Sequence, residues 1–472
     1  MKRFGIFISL MFIAFSAITG NFEISVSGNF PGAEGREIRL LQYGDLITYR
    51  EVEIASTLID EQGNFSFRFS RFEPLYLFFR IDHARTGMFA EPGQDYHLQW
   101  DSVDFSRLDD RINPYLNPWN FNYTLSEQGD LLNSSIDEFE EVLYEKLTEQ
   151  FVLIQMTRNA GLLDNIRQHT DSLFGHIDNS YFRDYYRYTY AYYQQVANLG
   201  RFGNLVQEFI LNQPVLYHNT QYMNFFNTVF DTYIFAGSRS ITGHDLRYTI
   251  NELNSYHALM DSLGKDTILR NEVIRELVML KGLQDLHGNP DYKQSHVENI
   301  LQWVKENSKF PQHRTIAGNI LYNKGHLKEG SQLPAFKLHN DTGKVISFPD
   351  DYEGKYLYIG FWASWCESCL LDFIALREIY REHKDNLAIV AVSTDRDKQA
   401  LNRFMQHHNF PWETLHFDGD FRLLDTYQVR GIPLYILADR NGKVVSFPAR
   451  RPAGELKIYL EWLLHQERRP RR

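Results

Sequence analysis

The sequence predicts a multidomain protein: an N-terminal β module, an α-helical middle region and a C-terminal α/β domain. Three observations support this. Apolar residues alternate with a period near two up to about residue 105, then recur at three-and-four spacing from about Leu131 to residue 325. Beyond residue 330 apolar strand-like runs alternate with helical ones. At 472 residues, the chain is long enough for about three domains on a prior of roughly 150 residues each.

The first residues form their own segment. Met1-Lys2-Arg3 is basic, Phe4 to Ile18 is apolar, and Thr19-Gly20 closes the run. That order is the layout of an export signal over residues 1–20, and the apolar stretch falls short of the roughly 20 residues a membrane-spanning helix needs. The expected location is outside the cytoplasm, in the periplasm or cell envelope, and the protein is not expected to be an integral membrane protein. Residues 21–105 contain strand patterns such as Glu23 to Ser27, Glu37 to Leu40, Phe65 to Phe69 and Tyr76 to Ile81. The turn clusters Glu61-Gln62-Gly63-Asn64 and Glu91-Pro92-Gly93-Gln94 separate them, predicting a small antiparallel β-sandwich-like module.

Residues 125–325 are expected to be helical, with Asp and Ser as caps. Between Tyr181 and Tyr193 aromatic residues crowd one helix. Such a surface suits glycan or peptide binding, but aromatics at helical spacing more often pack a core, and that reading is preferred. Gly330 to Pro334 reads as a linker. The domain over residues 330–466 opens with strand Tyr356 to Phe361, a helix from Leu370 to Glu382 and strand Leu387 to Val392. A helix from Asp397 to His407 follows, then a hairpin around Asp439-Arg440-Asn441-Gly442 and a last helix from about Ala453 to Leu464. Residues 467–472 form a basic tail, read as a solvated end.

With 49 Lys and Arg against 60 Asp and Glu, the net charge of −11 argues against nucleic acid as a partner. There is no Gly-rich phosphate loop, HExxH or GxSxG motif. The two cysteines, Cys366 and Cys369, stand in Trp365-Cys366-Glu367-Ser368-Cys369, between an expected strand and helix. Cys366 at a helix N-terminus favours a thiolate, and a thiol one turn on can resolve a mixed disulfide. A zinc half-site lacks two further ligands, and no metal is expected. A purely structural disulfide closing so short a loop contributes only about 2 kcal/mol. Inert buried thiols need coincidence to place both cysteines here. The pair is therefore read as a redox-active disulfide, with no other cofactor.

Phe361-Trp362-Ala363-Ser364-Trp365-Cys366-Glu367-Ser368-Cys369 resembles the active-site segment of the thioredoxin fold, and Val429-Arg430-Gly431-Ile432-Pro433 resembles its cis-proline loop. The 64-residue interval from Cys369 to Pro433 is similar to that of the TlpA/ResA-like extracytoplasmic branch, which carries an insertion there. The resemblance implies a thiol-disulfide oxidoreductase with Cys366 as nucleophile and Cys369 as resolving thiol. It implies that Ile432 and a cis Pro433 pair with a client strand, that Trp362 and Trp365 pack around the site as client-binding residues, and that Asp372 moves protons. Gly360 stands where thioredoxins keep a buried Asp, leaving Asp372 or Glu367 to serve. Ser368 replaces a common proline, and Ile374 replaces a helix-kinking one. Ser368 favours the thiolate and Glu367 opposes it.

The expected function is reduction of disulfides in envelope client proteins, fed by a membrane electron donor of thioredoxin-reducing type. The alternatives are an envelope binding or adaptor protein built on the β module and helical region, and a thioredoxin-fold peroxidase.

Overall fold

The computed structural model describes residues 22–105, 119, 121–126, 131–238, 240–286, 289–325, 327–340 and 343–467. The expected signal segment and Arg468 to Arg472 lie outside the described residues.

The β module consists of two four-stranded sheets. Its strands are β1 (Glu23–Asn29), β2 (Glu37–Tyr43), β3 (Glu51–Leu58), β4 (Asn64–Ser70), β5 (Leu75–Ile81), β6 (Ala84–Ala90), β7 (Asp95–Trp100) and β8 (Tyr123–Leu125). The sheets run β4-β1-β7-β8 and β3-β2-β5-β6. Alternation drives the packing: Ile24, Val26, Phe65, Phe67, Leu77, Phe79, Leu98 and Trp100 share one core. The expected all-antiparallel arrangement is corrected at one place, because β1 and β7 pair in parallel. The chain also returns to the first sheet through β8, which pairs with β7 beyond the expected boundary at residue 105.

Among the described residues ten α-helices follow: α1 (Leu131–Thr157), α2 (Ala160–Phe174), α3 (Ser180–Val196), α4 (Phe202–Val206), α5 (Thr220–Val229), α6 (Gly243–Arg247), α7 (Tyr256–Leu263), α8 (Glu272–Asp285), α9 (Gln294–Asn307) and α10 (Pro311–Gly325). Ser255 caps α7 as expected, while asparagine takes the place of the expected Asp at other helix starts, where Asn159, Asn179, Asn219 and Asn271 accept backbone N–H groups. The tyrosine-rich segment is α3, and Tyr181, Tyr185, Tyr188 and Tyr190 are buried. Their hydroxyls find partners, as in Tyr188 to the Phe209 carbonyl (3.0 Å) and Tyr190 to Thr170 (2.7 Å), so the segment is core. Deeper in the bundle, buried Glu276 accepts from Tyr256 (2.6 Å) and lies 3.0 Å from His313 Nδ1.

The C-terminal domain has strands β9 (Phe336–His339), β10 (Val345–Phe348), β11 (Tyr356–Trp362), β12 (Leu387–Ser393), β13 (Glu413–His416), β14 (Leu434–Ala438) and β15 (Val444–Ser446). Its helices are α11 (Glu367–His383), α12 (Lys398–His407), α13 (Phe421–Thr426) and α14 (Leu456–Glu467). The central sheet runs β13-β12-β11-β14-β15. Strands β11, β12 and β13 are parallel, and β14 opposes β11. β11 and β12 are buried at every position, which explains their unbroken apolar runs. The expected linker at 330–334 is no free tether: Gly330 N–H donates to Val444 O (2.7 Å), and Leu333 N–H to Gly442 O (2.8 Å).

Parallel pairing places the C-terminal ends of β11, β12 and β13 at one edge, level with the start of β14. Trp362 pairs with Ser393, Ser393 with His416, and Phe361 with Leu434. The loops leaving this edge hold the chemistry.

Candidate active site

The loop after β11 turns into α11 at Cys366, the helix N-cap. Its Sγ accepts from Cys369 N–H at 3.3 Å, and the Ser368 hydroxyl lies 3.5 Å away. Helix dipole, amide and hydroxyl all favour negative charge on this sulfur. The structure holds the pair oxidised, with an S–S distance of 1.98 Å. Cys366 is 6% exposed and Cys369 is fully buried, so an outside thiol or disulfide reaches the pair at Cys366. α11 starts at Glu367, earlier than the expected Leu370, because Cys366 itself supplies the cap.

Asp372 is fully buried one turn beyond Cys369. Its carboxylate accepts from the Tyr435 hydroxyl (3.0 Å), Arg451 Nε (2.8 Å) and Ala453 N–H (3.4 Å). Arg451 also donates to the Ser368 carbonyl at 3.2 Å, tying its loop to the Cys-x-x-Cys turn. Burial pushes the Tyr435 phenol far above its ordinary value, helped by the Asp372 charge and the hydrogen bond to it, so Tyr435 stays a proton donor. The Asp372 hydrogen bond holds the Arg451 guanidinium above its usual range. Tyr435 stacks on Tyr358 with centroids 5.1 Å apart.

Gly360 makes room for this group. It pairs with Tyr435 across β11 and β14, and a Cβ there would lie 2.7 Å from the Tyr435 ring. The strand position that carries a buried Asp in thioredoxins carries no carboxylate here, and the buried carboxylate of Asp372 on the helix meets the strand layer at Tyr435. Glu367 is exposed in the first turn of α11 and does not join this network.

A second carboxylate organises the loop. Buried Asp395, just past β12, accepts from Ser364 N–H (2.9 Å), Ser364 Oγ (2.7 Å) and Ser393 Oγ (2.6 Å). His416 Nε2 lies 2.6 Å from the Asp395 carbonyl. These bonds fix the loop two residues before Cys366. Sequence reasoning missed Tyr435, Arg451 and Asp395; the one available signal was Gly360, since a glycine inside an apolar strand marks a close approach.

The Ile432–Pro433 peptide is cis. Ile432 is half-buried against both cores of the domain, one of which contains the cysteines. Trp365 is half-buried at the site. Trp362 is corrected as a client-binding residue: it is wholly buried and packs on Phe373 (4.9 Å) and Phe404 (5.6 Å), supporting the site from beneath. α11 runs unbroken through Ile374. Away from the cysteines, Glu382, His383 and Glu461 bring ligand-type atoms within 4.8 Å of one another. Lys457 already pairs with Glu382 there at 2.7 Å.

No helix among the described residues is long and apolar enough to cross a membrane. Residues 328–448 match the Redoxin family. Thiol-disulfide oxidoreductase ResA of Bacillus subtilis (strain 168) is 35% identical over 135 residues, covering 28% of this chain and 73% of the relative. ResA of Bacillus anthracis is 26% identical over 133 residues, covering 28% and 76%. Among solved structures, the thioredoxin domain of a thiol-disulfide oxidoreductase from Bacteroides vulgatus is similar at 28% identity and a TM-score of 0.27, covering 29% of this chain and 98% of that one. With a reactive pair capping α11, a cis proline at the opposing strand and more than a third identity to a ResA chain over most of its length, this chain belongs, through its C-terminal domain, to the ResA-type thiol-disulfide oxidoreductases.

Proposed function

We propose that this protein is an exported reductant of disulfides in envelope proteins. The observation that carries the reducing direction is the buried Asp372 one turn beyond the resolving cysteine. A carboxylate one helical turn beyond Cys369 disfavours a second negative charge on that sulfur, so the resolving thiol keeps its proton until attack. In the reduced protein the Cys366 thiolate attacks a client disulfide. A Cys366–client bond forms as the client S–S bond breaks, and one client sulfur leaves as thiolate. Cys369, giving its proton toward Asp372, then attacks Cys366 Sγ and releases the second client sulfur. The client gains two electrons and the Cys366–Cys369 disulfide forms. Ile432, beside cis Pro433, offers backbone groups to an extended client strand.

Export is supported by the basic, apolar, small-residue order of the first 20 residues. Outside the cytoplasm the disulfide must be re-reduced by a membrane electron donor of thioredoxin-reducing type. The test is equilibration of the pair against dithiothreitol and glutathione buffers. A potential near or below roughly −270 mV supports a reductant, and one near roughly −120 mV overturns it in favour of a disulfide donor.

A further inference from the structure

The β module docks on the redox domain at the edge that carries the cysteines. Arg422 of α13 binds Glu37 (2.6 and 2.8 Å), and its Nη2 reaches Glu53 at 2.8 Å. Asp425, three residues on, accepts from Arg39 (3.0 Å) and Arg80 (2.9 Å). α13 leads directly into the cis-proline loop. The tight turn between β5 and β6 goes further over the edge. Asp82 meets Arg396 at 3.4 Å, and His83 packs edge-on against Phe421 with centroids 4.7 Å apart. Arg396 also lies over the Trp119 ring at 4.5 Å.

These contacts fall on the loops that flank Cys366. Arg396 follows Asp395, whose carboxylate holds Ser364, two residues before the nucleophile. Arg430, two residues before the cis bond, is close enough to His83 for its charge to oppose protonation of the imidazole. The β5–β6 turn therefore spans from the loop after β12, through Asp82–Arg396, to α13, through His83–Phe421, and α13 leads into the cis-proline loop that forms the other border of the surface a client must occupy. Surface ion pairs taken singly contribute little, but this seam is a network in which Asp425 and Arg422 each bind two partners.

We infer that the β module is a specificity element: its β5–β6 turn walls the approach to Cys366, so that disulfides on extended or flexible client segments reach the nucleophile and those on compactly folded surfaces do not. The inference rests on the proposed reductase reading and names the substrate class of that same site. Narrow access matches the 6% exposure of Cys366. On this inference an extended strand passes beside Ile432, whereas a folded surface meets Asp82 and His83 first.

The test uses the full chain and two substrates, 5,5′-dithiobis(2-nitrobenzoate) as a small disulfide and native insulin as a compact protein. The double variant Arg422→Glu/Asp425→Arg replaces attraction by repulsion along α13, and small-angle scattering reports whether the module has left the edge. Adding Asp82→Lys removes the Asp82–Arg396 bridge as well, should scattering show the module still in place. The undocked protein is expected to reduce insulin about tenfold faster, the low end of the roughly one to three decades over which association rates vary among mutants of one interface, with the small disulfide changed by less than about twofold. The charge-swapped variant Glu37→Arg/Glu53→Arg/Arg422→Glu is expected to restore docking and discrimination. An undocked protein with an unchanged insulin-to-small-disulfide ratio overturns the inference, as does a parallel loss of both activities. Failure of the reductase reading is distinct, since the parent protein then reduces neither substrate.

Discussion

Asp372 and Arg451 form an ion pair of 2.8 Å in which the aspartate side chain is fully buried and the arginine side chain is 52% exposed. The pair joins the interior beneath Cys369 to the surface beside Ser368. Arg451→Ala strands a buried charge. A fully buried broken pair costs roughly 3–5 kcal/mol, and water around the half-exposed arginine reduces the expected loss to about 1–2 kcal/mol. Urea unfolding of the oxidised protein measures it. In Asp372→Asn the same arginine truncation is expected to cost less than about 0.5 kcal/mol, because the charge it served is gone.

Gly360→Ala is expected to act on the site through Tyr435. The new methyl would lie 2.7 Å from the ring, which is held by its stack on Tyr358 and its bond to Asp372. Overpacking of this kind costs about 1–3 kcal/mol. Tyr435→Phe in the Gly360→Ala background does not relieve the clash, whereas Tyr435→Ala does, and thermal melting of the three variants separates these outcomes. Loss of the Tyr435 hydroxyl alone removes one hydrogen bond to a charged group, worth about 1.5–3 kcal/mol.

The elements that follow directly from local pattern were legible in the sequence: β11, β12, the β14–β15 hairpin, and Cys366 and Cys369 at a helix start. Asp439 shows why. Its side chain accepts from Asn441 and Lys443 N–H (both 2.9 Å), a bond set encoded within five consecutive residues. The carboxylates around the cysteines were legible only in part. Asp372 sits at helical spacing from Cys369, but Arg451 lies 79 residues further on, and only the packing of the loop before α14 against α11 brings them together. The parallel β1–β7 pair and the seam on α13 were illegible for the same reason, since register between distant segments is set by tertiary packing. Trp362 misled because an aromatic beside a reactive pair has the same composition whether it faces the client or the core.

Asp395→Ala is expected to loosen the loop that carries the nucleophile. It leaves Ser364 N–H and the Ser364 and Ser393 hydroxyls without their buried acceptor. Unsatisfied buried donors cost about 1–3 kcal/mol each, so the variant is expected to lose several kcal/mol. Asp395→Asn keeps one acceptor oxygen and the shape, and is expected to retain the fold. In that variant a positioning role shows as slower alkylation of Cys366 by iodoacetamide, with the reduction potential changed by less than about 30 mV, equivalent to 1.4 kcal/mol for a two-electron couple.

Docking of the β module is expected to weaken in mild acid, and His83 sets the window. Its imidazole is pushed down from 6.5 to about 4, chiefly by burial; Asp425 pulls it upward, and Arg396, Arg80 and Arg430 push it down. The undocked imidazole takes a proton below 6.5, whereas the docked one does so only near 4. Stability from this group is therefore fully present above 6.5 and is lost as the pH falls through that interval. Glu37, held below its usual value by Arg422, Ser56 and Arg39 against its burial, adds to the loss at lower pH. Asp82 acts in the opposite sense, since burial lifts its carboxyl despite Arg36 and Arg396. Between about pH 7.5 and about pH 5 the His83 contribution amounts to about 1–2 kcal/mol after allowance for its partial exposure. Urea unfolding at the two pH values measures the difference, and in His83→Gln it is expected to shrink by that amount. An undiminished difference in the variant would place the acid sensitivity elsewhere, with the buried Glu276–His313 pair of the helical region as the next group to replace.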